Sequence, residues 1–305
     1  MSGTALLAGY AADLAVGDPP RWHPVAGFGR LAGAVERIAY APTKRRGALV
    51  TGALVAGAAG AAQLIARLTS RPLALVVVTW AALGGRSLRR EARAVAACAE
   101  RGELERARSR LRSLCGRDAA TLDTAAICRA LVESVAENTS DAVVGALTWG
   151  ALAGPAGVAA YRAANTLDAM FGHHNTRYEA FGFAAAKLDD AMNWPAARVS
   201  AGLACLAAPI VGGSPSAARR VLRRDGRAHP SPNAGQVESA FAGALGLQLG
   251  GPLAYAGRVQ ERPRLGDGAA PDPGDVARAI RLSLAVSTLA ALAAALAAAV
   301  IGSVR

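Results

Sequence analysis

Long apolar runs without charged residues constrain this chain more than any other feature of its sequence. A helix needs about 20 apolar residues to cross the hydrocarbon of a bilayer. Four charge-free runs meet that length, at 47–66, 142–161, 199–218 and 282–304, and Gly154 and Pro155 interrupt the second of them. Shorter apolar stretches at 1–16 and 72–85 could add to them. The sequence therefore predicts an all-α, polytopic integral membrane protein with four to six spans.

The distribution of charge supports the same class of protein. Charged residues make up only 18% of the chain, where soluble domains carry about 25%. The net charge is +12, and basic residues cluster between the apolar runs, at 44–46, 86–117 and 219–227. That pattern is typical of positively charged cytoplasmic loops. It predicts a multi-pass protein of the inner (plasma) membrane, with the lipid bilayer and not a nucleic acid as its charged partner.

We expect one membrane-embedded domain over 1–305, with two segments outside the bilayer. Residues 86–141 read as a mostly helical extramembrane insertion, in which two amphipathic helices meet at Arg101-Gly102. Residues 219–275 are rich in Gly, Pro and Asp and predict an extramembrane ordered loop.

The dense polar segment from Glu133 to Arg198 is unusual in so apolar a chain. It begins with Glu133, Glu137 and Asp141, whose spacing of i, i+4 and i+8 places three carboxylates on one helix face. Like charges so placed repel unless a cation neutralises them, and Mg²⁺ prefers carboxylate oxygen. The alternative is a solvated face paired with Arg129 or other arginines.

The second half of this segment mixes both charge signs with amides and imidazoles. Arg162, Asn165 and Asp168 share a helix face. Asp189 and Asp190 could bind Mg²⁺ with one carboxylate or could both face solvent. The basic side chains could hold phosphate or belong to positively charged loops. The remaining polar members are His173, His174, Asn175, Arg177, Tyr178, Lys187, Asn193 and Arg198.

Two smaller polar clusters flank this segment. One contains Asp18 and His23, where the following proline holds His23 extended. The other runs from His229 to Gly251 and contains Asn233 and Glu238. Neither cluster by itself indicates a reaction.

Taken in order, these motifs resemble one family, the adenosylcobinamide-phosphate synthases of cobalamin biosynthesis (CobD/CbiB family). The departures from its pattern are small, such as Ala142 where the family often has Gly. The matching stretches are Asp13, GDP and HPV near the start, GRDAATLD at 116–123, ESVAENTSDAVV at 133–144, YRAANTLDAMFGH at 161–173, RYEAFGFAAAKLDD at 177–190, NWPAAR at 193–198, HPSPNAG at 229–235 and ESAFAGALGLQLGG at 238–251.

The resemblance implies a membrane-bound amide synthase. Its substrates would be adenosylcobyric acid and 1-amino-2-propanol or the O-phosphate of that amine. ATP with Mg²⁺ would activate the carboxylate, and later enzymes of the cobalamin pathway could be partners at the membrane.

The resemblance also implies roles for the polar residues. Catalytic roles would fall to Glu133, Glu137, Asp168 and Asp189. Metal ligands would be Glu137, Asp141 and Asp190. Substrate and phosphate groups would be bound by His23, Asn138, Arg162, Asn165, His174, Arg177, Lys187, Arg198 and Asn233.

Two other functions compete with this interpretation. A transporter of a corrinoid or another small polar solute would also place charges and broken helices within the membrane. We find no repeated halves in the sequence, and the polar groups are concentrated in one stretch.

A phosphoalcohol transferase would need a tightly spaced run of several Asp with Gly and Arg, which Asp189-Asp190 does not supply. A scaffolding role could coexist with catalysis.

Overall fold

The computed structural model describes residues 2–19, 21–115, 119–173, 175–255 and 258–303, with 252–255 and 258–260 described by their backbone only. Over these ranges the chain is predominantly helical, with one antiparallel hairpin. The helices are α1 (Gly3–Ala15), α2 (Pro24–Ala39), α3 (Lys44–Leu68), α4 (Arg71–Ala82), α5 (Gly85–Glu100), α6 (Leu104–Leu111), α7 (Thr124–Thr139), α8 (Gly145–Phe171), α9 (Tyr178–Phe181), α10 (Phe183–Ala207), α11 (Pro215–Asp225), α12 (Ala234–Leu245) and α13 (Pro273–Ser303). The hairpin strands are β1 (Leu249–Tyr255) and β2 (Arg258–Leu265).

Four helical stretches among the described residues are long and apolar enough to cross a membrane. They are Lys44–Leu68, Thr124–Phe171, Phe183–Val211 and Pro273–Ser303. Each overlaps one of the four runs predicted from the sequence, so the prediction of an all-α polytopic membrane protein is confirmed.

The third stretch lies further toward the N-terminus than the run predicted at 199–218. The helix starts at Phe183 and continues through Pro195 and a 3₁₀ turn to Val211. It ends because Gly212 adopts the left-handed conformation, with φ +74°. Charged residues near its start, among them Asp189, are tolerated because they have polar neighbours inside the protein.

The chain forms two compact units. The first unit contains residues 1–84, 141–196 and 290–305. Its aromatic core lies where α2, α3, α8 and α9 meet, with Phe171, Phe181, Leu54 and Leu167 buried. Helix α8 is broken within the membrane-length stretch, since Gly154 has φ +66° and Pro155 follows it, as the sequence predicted.

The second unit contains residues 85–140 and 197–289. Helices α5 and α6 form the predicted amphipathic pair, and Arg110 of α6 binds Glu91 of α5 through two hydrogen bonds of 2.9 and 2.7 Å. Helix α7 begins where the Asp123 carboxylate accepts from the Ala126 amide at 2.8 Å. The prediction of one domain over 1–305, with extramembrane segments at 86–141 and 219–275, stays a prediction.

The region expected to be mostly ordered loop, 219–275, has more regular structure than its composition suggests. It contains most of α11, then α12 and the β1–β2 hairpin. Its glycines and prolines stand mainly at the ends of these elements, where helices and strands must stop. Composition therefore indicated that this region contains turns, but it did not show the short helices and strands between them.

Asp225 joins α11 to the hairpin and gives a test of stability. Its carboxylate accepts from the Arg224 guanidinium at 2.6 and 2.7 Å and from the Gly266 amide at 2.8 Å. The Arg224 hydrogen bonds, and then the Gly266 amide, hold the pKa of Asp225 below its ordinary value. A carboxyl whose pKa is lowered by folding stabilises the protein above its unfolded pKa, near 4, and loses that contribution as the pH falls through the lower folded value.

We therefore expect Asp225→Asn to cost about 1–3 kcal/mol at neutral pH, because charged hydrogen bonds are lost. The wild type should lose stability between pH 6 and 3 more steeply than the variant. Thermal unfolding of both proteins in detergent across that pH range measures the difference. Parallel pH profiles would show that the Asp225 contacts do not contribute to stability.

Candidate functional site

In the first unit, the Tyr161 hydroxyl lies buried between α8 and α10. It is 2.8 Å from the Asp141 carbonyl oxygen and 2.6 Å from Oδ1 of Asn193. Asp141 belongs to a π-helical turn, Ser140–Val144, and such turns are frequent at functional sites. The ring can approach because position 145 is glycine: a Cβ there would overlap the Tyr161 ring. These contacts fix α10 against α8 one turn from Asp189.

Asp189 is the most deeply placed carboxylate of this cluster. It is only 9% exposed, and Nδ2 of Asn165 donates to it at 3.3 Å. Oδ1 of Asn165 accepts in turn from Arg162 at 3.1 Å. Asp168, one turn beyond Asn165, adds a second negative charge that acts on Asp189. The structure thus brings together four of the predicted site residues from two facing helices.

An apolar cavity of about 130 Å³ adjoins this cluster. Its walls include Phe28, Val78 and Ala159, and Arg162 and Thr166 supply polar groups at its edge. The buried Nε of Arg162 makes no hydrogen bond among the described residues. The cavity can accept a small ligand that combines an apolar part with an acceptor for the guanidinium.

Asp190, next to Asp189 in sequence, has a different environment. Its side chain is 33% exposed and lies 3.4 Å from Lys187. Of the alternatives left open by the sequence, the one in which both aspartates face solvent does not agree with the burial of Asp189. The metal role predicted for Asp190 stays a prediction.

Two predicted binding residues of the first unit have contacts that position helices. Arg177 binds the buried Glu36 of α2 at 2.7 Å, and its guanidinium lies 4.3 Å from the centre of the Tyr40 ring. His23 caps α2: its Nδ1 accepts from the Val25 amide at 3.2 Å, and its Nε2 lies 3.4 Å from Asp18. Their substrate-binding roles stay predictions. His174 lies outside the described residues, as do 116–118 of the GRDAATLD motif.

In the second unit, Glu133 binds the start of the hairpin. It is 2% exposed, and its Oε1 accepts from the Gly250 amide at 2.7 Å. Gly250 and Gly251 have φ of +76° and +83°, which turns this backbone toward the carboxylate. Sequence spacing could not reveal this contact, because the partner lies 117 residues away.

The three carboxylates predicted on one helix face therefore have unlike environments. Glu133 is buried, whereas Glu137 is exposed, and neighbouring Asn138 donates to the Ser134 carbonyl at 2.9 Å. Asp141 lies in the π-helical turn, where the regular α-helical spacing does not continue. The catalytic and metal roles of these three residues stay predictions.

Arg198 and Asn233, both predicted to bind substrate, are in direct contact. Nη1 of Arg198 donates to Oδ1 of Asn233 at 2.8 Å, and Nη2 donates to the Pro232 carbonyl at 3.1 Å. The guanidinium is thereby held over the HPSPNAG loop. Only the tertiary structure places α10 beside this loop.

His229 and Arg262 form a basic pair that sequence analysis missed. His229 is 8% exposed; its Nδ1 accepts from the Ser231 amide at 3.0 Å, and its Nε2 lies 2.8 Å from Nη1 of Arg262. Arginine can only donate, and a neutral imidazole accepts at one nitrogen only. Both contacts need an accepting nitrogen, so a neutral His229 ring cannot satisfy the two together. An anionic oxygen that accepted from both His229 and Arg262 would remove the conflict.

No group of three or more His, Cys, Asp or Glu within the described ranges is arranged to hold a metal ion. Mg²⁺, however, is usually held by one or two carboxylates together with water and substrate phosphates. Asp168 on α8 and Asp189 on α10 are two carboxylates that act on each other electrostatically.

Fold and site together define a polytopic helical membrane protein that carries buried carboxylates and basic groups suited to anionic ligands. The family model described as CobD/Cbib protein matches residues 6–283. This chain therefore belongs to the CobD/CbiB family, as the resemblance of its motifs predicted.

Relatives similar over most of their length carry one name, cobalamin biosynthesis protein CobD. The protein from Mycobacterium tuberculosis is 49% identical over 290 residues, covering 94% of this chain and 93% of its own. The protein from Chromobacterium violaceum is 43% identical and covers 88% of both chains. That from Geobacter metallireducens is also 43% identical, over 87% of both. No solved structure matches the chain significantly.

Proposed function

We propose that this chain is an amide synthase of cobalamin biosynthesis, acting in the inner (plasma) membrane. It joins the carboxylate of adenosylcobyric acid to the amine of 1-amino-2-propanol or its O-phosphate. Family membership and the names of the relatives support the pathway. The observation that carries the chemistry is the buried Asp189, held by Asn165 beside Arg162 and Asp168.

Amide formation from a carboxylate needs activation, which ATP with Mg²⁺ supplies. The carboxylate oxygen bonds to a phosphorus of ATP, giving an acyl phosphate with release of ADP, or an acyl adenylate with release of pyrophosphate. The amine nitrogen then attacks the acyl carbon, and phosphate or AMP leaves. The ammonium form of the amine must lose a proton before this attack.

In the first unit, Asp189 would accept that proton. Its burial and its fixed contact with Asn165 favour a single carboxylate orientation. Asp168 would hold Mg²⁺ together with the nucleotide phosphates, and Arg162 would bind a phosphate oxygen at the edge of the apolar cavity.

In the second unit, fixed basic groups would bind anionic groups. Arg198 on Asn233 and the His229–Arg262 pair offer fixed donors to phosphate or carboxylate oxygen. The buried Glu133 would act as a positioning residue, because it holds the Gly250 backbone at the start of the hairpin.

A mass-spectrometric assay with each component omitted in turn tests this proposal. Purified protein in detergent is supplied with adenosylcobyric acid, Mg-ATP and either 1-amino-2-propanol or its O-phosphate. We expect a new corrinoid amide only in the complete mixture. Product formed without ATP would overturn the ligase mechanism. Uptake of a corrinoid by proteoliposomes with no chemical conversion would favour the transporter instead.

A further inference from the structure

Helix α11 carries an exposed cluster of arginines. Arg219, Arg220 and Arg223 are exposed on the helix, and Arg227 is exposed just after its end. Within the described part of the chain, no ion pair joins these four side chains to a carboxylate, whereas Arg224 pairs with Asp225 and Asp267. The opposite, apolar side of α11 is buried, through Ala218 and Val221, and the helix packs on α12. The arginines thus form a surface without an internal partner.

The position of α11 in the chain places this surface close to the membrane. The third membrane-length stretch ends at Val211, and α11 begins at Pro215. Three connecting residues span at most about 10 Å. The polar headgroup layer on each side of the hydrocarbon is roughly 5–8 Å thick. The first arginine, one turn or about 6 Å further along α11, therefore lies at most roughly 16 Å from Val211, in that layer or about a Debye length beyond it.

A contact between two candidate spans independently indicates where the hydrocarbon of the bilayer ends. Arg278 of α13 donates to the Val211 carbonyl from Nε at 3.2 Å and from Nη2 at 3.0 Å, and it also pairs with Asp275 at 2.7 Å. The charge-free run of α13 starts just after it, at position 282. The end of one candidate span and the polar start of another therefore meet at Val211, where we expect the edge of the hydrocarbon.

We propose that the arginine face of α11 binds the phosphate headgroups of anionic phospholipids. Phosphate is the group that a guanidinium recognises best by charge and by paired hydrogen bonds. Basic residues within a Debye length of an anionic leaflet each contribute roughly a fivefold preference. Because the apolar side of α11 is already packed, the contact is electrostatic and needs no insertion into the bilayer. None of these arginines belongs to the proposed active site, so the inference does not depend on the reaction.

Native mass spectrometry of the full-length protein in detergent tests this proposal directly. The protein is mixed with equal amounts of phosphatidylglycerol and phosphatidylcholine, and the ratio of the two bound lipids is measured. We expect wild type to retain phosphatidylglycerol preferentially. The variant Arg219→Gln/Arg220→Gln/Arg223→Gln should lower this ratio by at least about tenfold.

A variant with the same loss of charge elsewhere is the matched control. Arg90, Arg93 and Arg112 are exposed on or just after the amphipathic helices α5 and α6. Their triple replacement by Gln should leave the lipid ratio within about twofold of wild type. An equal fall in both variants would show that overall charge, rather than α11, selects the lipid, and would overturn the proposal.

Charge-preserving substitution provides a second, independent comparison. Arg219→Lys/Arg220→Lys/Arg223→Lys should keep most of the preference, because the attraction depends on charge near the surface. Added salt at about 0.5 M should weaken the preference in wild type and lysine variant alike. Equal retention of both lipids by wild type, or a full loss in the lysine variant, would contradict lipid binding by this face. If the glutamine variant and the wild type retain the two lipids in the same ratio, lipid binding by this face is overturned. That result would favour an acidic protein as the partner of the arginine face.

Discussion

Replacement of Asp189 by asparagine should lower kcat/KM of the proposed synthase by at least about 100-fold, the usual contribution of a general base. The side chain is nearly isosteric, so the contact with Asn165 can persist while the negative charge and the proton acceptor are lost. Folding should change little, since the variant removes a buried charge. The effect should therefore appear in turnover and not in the unfolding temperature.

Its neighbour offers a matched control. Asp190→Asn removes the same charge at the next position, but this side chain is partly exposed and pairs with Lys187. Exposed pairs contribute only about 0–1 kcal/mol to stability. Because Asp190 has no part in the proposed proton transfer, we expect turnover within about threefold of wild type. Steady-state kinetics and thermal unfolding of both variants measure the changes in turnover and in stability. Equal losses would give Asp190 the metal role predicted from sequence, and near-normal turnover in Asp189→Asn would reject the proposed base.

The second large effect is expected at the start of the hairpin. Alanine at position 250 must adopt a φ of +76°, and its Cβ would overlap the Pro263 carbonyl oxygen on β2. We expect Gly250→Ala to cost more than about 3 kcal/mol, because backbone strain and steric overlap add. The Gly250 amide should also move away from Glu133, so that amide synthesis is lost together with stability.

Gly246 provides the comparison for this substitution. It has nearly the same conformation, with φ of +70°, but no atom lies within 4 Å of a Cβ built there. Gly246→Ala should therefore cost only about 1–2 kcal/mol, the price of the left-handed conformation. Thermal unfolding in detergent and the amide-forming assay measure both effects. Equal losses of stability in the two variants would show that the Pro263 carbonyl oxygen does not lie against Gly250.

Local features of this protein were predictable from the sequence. The spans followed from hydropathy, because crossing a bilayer depends on the length of one apolar run. The α5–α6 pair followed from helical periodicity, and the break in α8 followed from Gly154-Pro155. The segment 219–275 was less predictable, because short helices and a hairpin leave only a weak periodic signal. The candidate site was predicted as a set of residues, not as an arrangement.

By itself, the sequence determined the helical membrane class and the family, because both depend on composition, run length and the order of motifs. Only the tertiary structure distinguished residues of the same type. Asp189 and Asp190 are adjacent, yet a rotation of about 100° per residue turns one toward Asn165 and the other toward Lys187. The partners of Glu133 and of His229 lie on the distant hairpin. Contacts of this kind depend on how helices pack, and no local pattern in the sequence carries that information.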